Sequence, residues 1–211
     1  MNPLNWLLVS QRLQALAQTG LAYSEIEYDR ERYQEINEIG QQILAQLSNV
    51  DIEHIIQLTP DETGYRTPKV DIRAIVFRGT DELLMVQEKI DNNRWTVPGG
   101  WADIGYTPFE VAEKEVWEET GLQVKATRLL AVFDKKMHPH PYQPWYVYKL
   151  FILCEVTGGE LLTQTNETSG ISWIPQKELA SLSLSTDRAT YSQLEKMFEF
   201  KSNPDLQALC D

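Results

Sequence analysis

The sequence predicts an α/β fold with a small helical domain in front of it. Residues 2–18 and 29–47 repeat apolar side chains at the helical period. In the remainder of the chain, runs rich in β-branched and aromatic residues alternate with helical patterns, as strands and helices do in α/β proteins. We therefore expect a helical N-terminal domain at residues 1–66 and an α/β domain at residues 67–211.

The two N-terminal helices are predicted from caps and apolar stripes. Asn2 and Pro3 suit the cap and first position of one helix, which we expect Gly20 to end. Asp29 is expected to cap the other, which runs to about Leu47. The first stripe consists of Trp6, Val9, Leu13 and Leu16. Two such helices cannot bury their apolar sides alone, so they pack on the following domain or on a second subunit.

Short strands and a final helix are predicted after a connector. Proline and glycine punctuate residues 50–68, and Val50–Leu58 is compatible with a short strand. Apolar runs predict the remaining strands. These strands are residues 70–77, 83–88, 129–133, 145–156 and 171–174, and the final helix is residues 186–199.

The stretch after Gly99-Gly100 carries the strongest local signals. Thr107 with Glu110 three residues later forms a capping box, and Pro108 suits the first helical position. Gly121 is expected to end the helix. Residues three and four apart share a helix face, which puts several glutamates on one stripe. They are Glu115, Glu118 and Glu119.

Like charges on one helix face repel, by a few tenths of a kcal/mol for each i,i+4 pair. A hard divalent cation with oxygen ligands would offset that repulsion, and Mg²⁺ combines a few carboxylates with substrate phosphates. The alternative is a solvated acidic helix face.

Residues 100–122 resemble the signature of the Nudix hydrolase family. That signature reads Gly, five residues, Glu, seven residues, Arg-Glu, an aliphatic residue, any residue, Glu-Glu, any residue, Gly and an aliphatic residue. The matching positions are Gly100, Glu115, Val116, Glu118, Glu119, Gly121 and Leu122. The resemblance implies a Nudix fold, in which a mixed β-sheet lies between helices.

The resemblance also implies a catalytic site. Glu115, Glu118 and Glu119, together with the carbonyl of Gly100, would hold Mg²⁺ or Mn²⁺ against a pyrophosphate. A helix glutamate, or Glu167 in a later loop, would act as general base. The alternative for Glu167 is a solvated loop charge.

Two positions depart from the signature. Tyr106 stands where the first glutamate is expected, and Lys114 stands where arginine is expected. Lys114 keeps the charge but lacks the planar bidentate fork of arginine. These departures are explained either by a subfamily with a shifted arrangement or by a weak or inactive enzyme, and the intact glutamates favour the subfamily.

Several residues are candidates for substrate binding. Arg73 shares a strand face with Asp71, so it is either a substrate contact or half of an edge salt bridge. Lys89 and Arg94 can hold a phosphate or be solvated surface, and Trp101 is a lid or a packing residue.

The run His138-Pro-His140-Pro resembles one found in Nudix proteins that carry a helical extension. Prolines hold the run extended, so both imidazoles can face one target. We expect a rim loop that contacts phosphate or base, with a rigid turn as the alternative. A histidine pair without a third ligand is weak evidence for zinc.

Composition excludes some classes of function. The net charge of −12 argues against binding to DNA or to an anionic membrane surface. Cys154 and Cys210 are far apart in the sequence, which is typical of free thiols in a reducing compartment. No apolar run is long enough for a membrane span. These features predict a cytoplasmic protein.

The sequence therefore predicts a metal-dependent hydrolase that cleaves a nucleoside diphosphate linked to another group. The helical extension resembles that of CDP-choline pyrophosphatases and of proteins labelled ADP-ribose pyrophosphatases. It implies a homodimer through the N-terminal helices, with intramolecular packing alone as the alternative. Competing functions are a module that senses ADP-ribose-like nucleotides without cleaving them, and trimming of RNA 3′ ends.

Overall fold

The computed structural model describes residues 5–48, 51–57 and 64–211. The chain forms two compact units. One comprises Met1–Pro68 and Tyr142–Tyr146, and the other comprises Lys69–Pro141 and Val147–Asp211. The predicted cap by Asn2 lies outside the described residues.

Helices form the N-terminal unit: α1 spans Trp6–Tyr23, α2 spans Glu27–Ser48 and α3 spans Ile52–Gln57. The side chain of Asn5 caps α1 by accepting the N–H of Leu8. Three local predictions were wrong. Gly20 lies inside α1, Asp29 lies in the first turn of α2 instead of capping it, and the connector holds α3 where a strand was expected.

Small and polar residues line the seam between α1 and α2. Ser10, Gln14 and Ala17 of α1 are buried, as are Gly40 and Leu44 of α2. The hydroxyl of Ser10 donates to the carbonyl of Gly40 at 2.7 Å, and a Cβ on Gly40 would lie 2.8 Å from Gln14 Cγ. Glycine therefore allows the two helices to approach closely.

The second unit contains the strands and two further helices. The strands are β1 (Lys69–Arg78), β2 (Glu82–Glu88), β3 (Arg94–Thr96), β4 (Gly99–Trp101), β5 (Leu122–Asp134), β6 (Val147–Gly159), β7 (Thr168–Pro175) and β8 (Leu209–Cys210). The helices are α4 (Pro108–Thr120) and α5 (Tyr191–Ser202). The final helix begins later than predicted because Thr190 and Gln193 form its capping box.

The strands form a mixed sheet in the order β3-β2-β1-β6-β5-β8, with β4 paired to β1 and β7 paired to β2. The β1–β6 and β5–β8 pairs are parallel and the others antiparallel. Alternate residues of β1 face opposite sides of this sheet. Ile72 and Ala74 pack in a core with α4, and Ile75 packs in a core with α5. The predicted mixed sheet between helices is confirmed.

In the part of the chain that the structure describes, no helix combines the length and the apolar character that crossing a membrane requires.

Candidate active site

Local sequence sets the position of α4. The predicted capping box is present: Glu110 N–H donates to the Thr107 hydroxyl, and the Glu110 carboxylate accepts the Thr107 N–H at 2.8 Å. Gly121 ends the helix in the left-handed region, at φ 80°. Ala112 and Val116 are fully buried and anchor the helix on the sheet.

Two glycines of β4 seat the carboxylates of α4. The N–H of Gly99 donates to Glu119 Oε2 at 3.0 Å. A Cβ on Gly100 would lie 2.8 Å from Glu115 Oε1, so the missing side chain leaves the space that this carboxylate occupies. Glu115 and Glu119 therefore lie against the backbone of one short strand.

These carboxylates open onto a cavity of about 470 Å³. Its lining residues are Asp71, Arg73, Glu88, Lys89, Ile90, Gly99, Gly100, Trp101, Glu115, Glu119, Asn166, Glu167 and Arg188. The residues predicted from sequence that meet here are Arg73, Lys89, Gly100, Trp101, Glu115, Glu119 and Glu167. Helix α4, strand β4, the end of β2 and the loop before β7 thus converge on one site.

Burial raises the pKa of the two helix carboxylates that line the cavity, because it disfavours their charged forms. Glu119 is only 4% exposed, and this burial raises its pKa to about 8 although Arg73 and the Gly99 N–H favour its charged form. Burial also raises the pKa of Glu115 to about 6, and the nearby charges of Glu118 and Glu167 act in the same direction. The site therefore favours a bound positive charge.

A buried ion-pair network lies beneath these carboxylates. The guanidinium of Arg73 is 2.7 Å from Asp71 and 3.6 Å from Glu88, and Lys149 also contacts Asp71. Arg188 holds Glu88 from the other side, at 2.8 Å. The predicted salt bridge between Asp71 and Arg73 is present. Its expected place at a sheet edge is wrong, because this part of β1 pairs with β4 on one side and β6 on the other.

Lys89 organises the loop that carries Glu167. Its ammonium donates to the carbonyls of Thr165 and Asn166 at 2.6 and 3.2 Å. Its backbone N–H donates to the carbonyl of Glu167 at 2.9 Å. Lys89 thereby fixes the loop beside the cavity, and Glu167 lies exposed at its rim.

Glu118 does not line the cavity. At about 100° per residue, Glu119 lies about 40° from Glu115 around the helix axis, whereas Glu118 lies about 60° away in the opposite sense. The Glu118 side chain is 43% exposed and 3.3 Å from Lys114, which also binds Asp103 at 3.1 Å. Lys114 therefore ties Glu118 to the flank of the helix, and of the three predicted glutamates Glu115 and Glu119 line the cavity.

Arg94, His138 and His140 also lie outside the cavity lining. Arg94 is 3.7 Å from Asp91. His138 Nε2 is 2.9 Å from an Asp211 carboxylate oxygen, and its ring packs on Phe133 at 4.7 Å. Since the Thr186 carbonyl can only accept, His140 donates to it through Nδ1–H, at 2.5 Å. Both imidazoles thus make structural contacts in this structure.

The site includes residues that sequence reasoning missed, chiefly Glu88, Asn166 and Arg188. Arg188 meets Glu88 across a long sequence separation, so no local pattern marks the pair. Asn166 directly precedes Glu167, and Glu88 ends β2 beside Lys89. Because Glu167 and Lys89 were predicted site residues, their neighbours Asn166 and Glu88 could have been proposed from sequence as well.

The donor set fits a divalent cation. Among residues 5–48, 51–57 and 64–211, no group of at least three His, Cys, Asp or Glu side chains is already gathered around a metal position. Glu115 and Glu119 nevertheless present carboxylate oxygens beside a strand whose glycine lacks a side chain that would fill the space. Oxygen donors of this kind suit Mg²⁺ or Mn²⁺, with substrate phosphates completing the coordination.

Comparison with known proteins agrees with this arrangement. Residues 67–194 match the family described as NUDIX domain, and residues 5–59 match the family described as UDP-X-like, N-terminal oligomerisation domain. YjhB of Bacillus subtilis (strain 168), which is provisionally named an ADP-ribose pyrophosphatase, is 43% identical over 206 residues. That match covers 98% of this chain and 97% of YjhB.

Solved structures give the same result. A UDP-X diphosphatase is 28% identical with a TM-score of 0.62, and the match covers 98% of both chains. An ADP-ribose pyrophosphatase from Streptococcus suis 89-1591 is 34% identical with a TM-score of 0.61, over 69% of this chain and 100% of that one. The fold, the signature helix and these matches together show that the chain belongs to the Nudix hydrolase family.

Proposed function

We propose that this Nudix hydrolase cleaves the pyrophosphate of a nucleoside diphosphate linked to another group, with Mg²⁺ or Mn²⁺. The observation that carries the proposal is the pairing of Glu115 and Glu119 in one cavity with Arg73 and Arg188. The carboxylates attract the cation, which would in turn bind the substrate phosphates. Arg73 and Arg188 are paired with Asp71 and Glu88, and they add guanidinium charge at the cavity lining. The long match to YjhB supports the same reaction class.

In this proposal, Glu115, Glu119 and the Gly100 carbonyl hold the cation. When bound there, the cation neutralises charge on the pyrophosphate and lowers the pKa of a bound water. The Gly99 N–H holds Glu119 in place, and Arg73 supplies a fixed positive charge beside it. These residues position the pyrophosphate, and positioning with electrostatic stabilisation is the main requirement of such a reaction.

Glu167 is our candidate for the general base. It lies at the cavity rim, and its charge acts on Glu115. Lys89 holds the loop that carries it, so we assign Lys89 a positioning role. Trp101 lines the cavity and is 42% exposed, which suits stacking on a base or sugar. Because they lie outside the cavity lining, we give Arg94, His138 and His140 no role in the chemistry.

ADP-ribose is the first substrate to test, because proteins named for it include both YjhB and the Streptococcus suis structure. CDP-choline remains a candidate, since choline is bound by aromatic residues. Trp101 is the aromatic residue of the cavity lining, whereas Tyr142, Trp145 and Tyr146 belong to the other compact unit. A UDP-linked compound completes the set, because of the UDP-X diphosphatase match.

The test is phosphate release in a coupled phosphatase assay, with each substrate and with Mg²⁺ or Mn²⁺. We expect metal-dependent turnover of one substrate. Glu119→Gln should lower that turnover by about two orders of magnitude, as losing a charge stabiliser of the transition state does. Glu118→Gln is the matched control, because it makes the same change one residue away and outside the cavity lining. It should lower turnover less than tenfold, the effect of losing its one contact with Lys114.

Equal losses in both variants would contradict the assigned roles. If no substrate turns over while nucleotides bind in a metal-dependent manner, the nucleotide-sensing alternative replaces hydrolysis. Shortening of an RNA substrate without turnover of any of these compounds would favour RNA 3′-end trimming. The acidic net charge of −12 opposes that last function.

We also infer that the N-terminal helices join two chains into a homodimer. The α1–α2 seam buries Ser10, Gln14 and Ala17, whereas none of the predicted stripe residues of α1 is fully buried. Within that stripe, Trp6 is 51% exposed and Leu16 is 61% exposed. The match of residues 5–59 to an oligomerisation domain supports the same conclusion.

A further inference from the structure

A second cavity, of about 610 Å³, opens where β1 and β6 separate. The parallel pairing of these strands ends at Val76 and Cys154. Beyond that point Phe77 pairs with β2, and Glu155 pairs with β5. Ligands of open α/β sheets bind in crevices of this kind, beyond the carboxyl ends of parallel strands whose neighbours diverge.

Aromatic rings and cations alternate along the wall of this cavity. The guanidinium of Arg78 lies 5.0 Å from the centre of the Trp173 ring, and that of Arg128 lies 5.6 Å from the Phe200 ring. The ammonium of Lys201 lies 5.7 Å from the ring of Phe77. All six of these side chains line the cavity.

The charge of this wall is unusual for the protein. The chain carries a net charge of −12, yet the cavity lining has three cationic side chains and one carboxylate, that of Glu155. Arg78 is already paired with Glu82 at 2.6 Å. Within the described ranges, neither Arg128 nor Lys201 forms an ion pair; Arg128 donates instead to the carbonyl of Pro204. Two cations are therefore available for an anion.

The floor of the cavity is apolar and inert. Cys154 is 2% exposed, and burial raises the pKa of its thiol to about 12, so it stays neutral. Leu153 lies beside it. The volume falls within the range of about 300 to 1,000 Å³ that small-molecule sites occupy. No residue is shared with the lining of the first cavity.

We propose that this second cavity binds a nucleoside monophosphate, with the base stacked on the aromatic and guanidinium wall and the phosphate on Arg128 and Lys201. Bases stack on aromatic rings and on arginine planes without requiring a particular sequence. A phosphate takes charge-assisted hydrogen bonds from guanidinium and ammonium groups. Aromatic rings beside cations without carboxylate partners thus match both halves of this ligand.

Calorimetric titration of the full chain with AMP tests the proposal. The buffer contains a chelator, which removes the divalent cation on which nucleotide binding at the first cavity is proposed to depend. We expect one AMP per chain. Adenosine and inorganic phosphate, each titrated alone, should bind at least about tenfold more weakly, since each lacks one set of contacts.

Charge variants then locate the binding. Arg128→Ala and Lys201→Ala should each raise the dissociation constant of AMP about tenfold, the effect of one charge-assisted hydrogen bond. Glu155→Gln removes the negative charge from the lining and should lower the constant two- to threefold, the size of an exposed charge interaction. Lys196→Ala is the matched control on α5, because Lys196 pairs with Glu199 and is absent from the lining.

The pattern of results decides the proposal. Nucleotide turnover should stay at the wild-type value in Lys201→Ala, and the thermal midpoint should change by only a few degrees, because the variant loses its contact with the Phe77 ring and no hydrogen bond that the structure shows. Absence of AMP binding to the wild-type chain would overturn the proposal. So would AMP affinity that is equal in Lys201→Ala and Lys196→Ala, or phosphate binding as tight as that of AMP, which would leave the aromatic wall without a role.

Discussion

Gly99 and Gly100 are neighbours in β4 with different structural requirements. Gly100 has no left-handed backbone angle, and the three atoms nearest to an added Cβ all belong to the carboxylate end of Glu115, the first at 2.8 Å. We therefore expect Gly100→Ala to keep the fold and to displace that carboxylate. Turnover should fall at least about tenfold, as it does when a catalytic group is misplaced by about 1 Å. The thermal midpoint should change by only a few degrees, and both quantities are measured on the same preparation.

Gly99→Ala is the contrasting variant. Gly99 has φ 149°, and its added Cβ would lie 2.0 Å from the backbone carbonyl of Ile72. The backbone of Ile72 cannot move aside as the end of the Glu115 side chain can. This variant should therefore lose several degrees of thermal midpoint or fail to fold. If Gly100→Ala kept full turnover, the proposal that Glu115 holds the cation would be contradicted.

Burial of the His140 imidazole should make the stability of the protein depend on pH. Burial lowers its pKa from 6.5 to about 4, and Lys149 and Lys135 add repulsion, although the Thr186 hydrogen bond favours the charged ring. Between these pH values the unfolded chain binds a proton that the folded chain does not. The stability contributed by His140 is therefore complete above about pH 6.5 and is lost as pH falls towards 4. NMR titration of the imidazole should give a midpoint well below 6.5.

His140→Gln is the comparison for this pH effect. Its stability relative to the wild-type protein should rise as pH falls from about 6.5 to 4, because the variant has no imidazole to protonate. Urea unfolding at several pH values measures that difference. An imidazole midpoint near 6.5, with a pH-independent difference between the two proteins, would show that the ring is hydrated in solution.

At this residue scale, spacing along one helix predicted much of the cavity. Glu115 and Glu119 meet there because the helix period places them on one face, whereas Gly100 was expected from the resemblance to the Nudix signature. Glu118 shares the motif but is held outside by Lys114, and no spacing rule reveals such a side-chain pairing. Arg188 reaches the site only through the tertiary fold, so the sequence pattern carries no signal for it.

Among the elements, α4 depends on its ends. Thr107→Ala removes the hydroxyl that accepts the Glu110 N–H and should reduce the free energy of unfolding by about 1 kcal/mol. Glu110→Gln keeps an acceptor for the Thr107 N–H and should cost less. Urea unfolding of both variants and of the double variant measures the coupling within the capping box.

Thr80→Ala is the control for this cap. Thr80 is exposed in the turn between β1 and β2, so its loss should change stability by less than about 0.5 kcal/mol. If Thr107→Ala were no more costly than Thr80→Ala, the capping box would not contribute to the stability of α4 in solution.

Element prediction succeeded where local chemistry decides and failed where packing decides. The caps of α4 are local, and both were predicted. Gly20 resembles a helix terminator, but a Cβ there would lie 2.4 Å from the ring of Tyr33, so glycine is needed where α1 passes α2. A glycine chosen for close helix packing and one chosen as a C-cap are identical in sequence.

On the scale of the whole molecule, the two exposed residues of the α1 stripe, Trp6 and Leu16, determine the predicted assembly. Leu16 lies on this stripe and is 61% exposed, although leucine is usually buried. Covering the stripe with a second copy would remove apolar surface from water, worth roughly 25 cal/mol per Å². The wild-type protein should therefore have about twice the chain mass of 24.3 kDa in solution.

Leu16→Glu tests this assembly directly, because a charge buried in an apolar contact is costly. We expect light scattering after size exclusion to show a shift from dimer towards monomer at micromolar concentration. Ala22→Glu is the matched control: Ala22 is also exposed, but lies about 120° from Leu16 around the axis of α1, so it should leave the dimer intact. A wild-type protein that is monomeric at all concentrations, or a dimer that persists in Leu16→Glu, would place the interface elsewhere or exclude it.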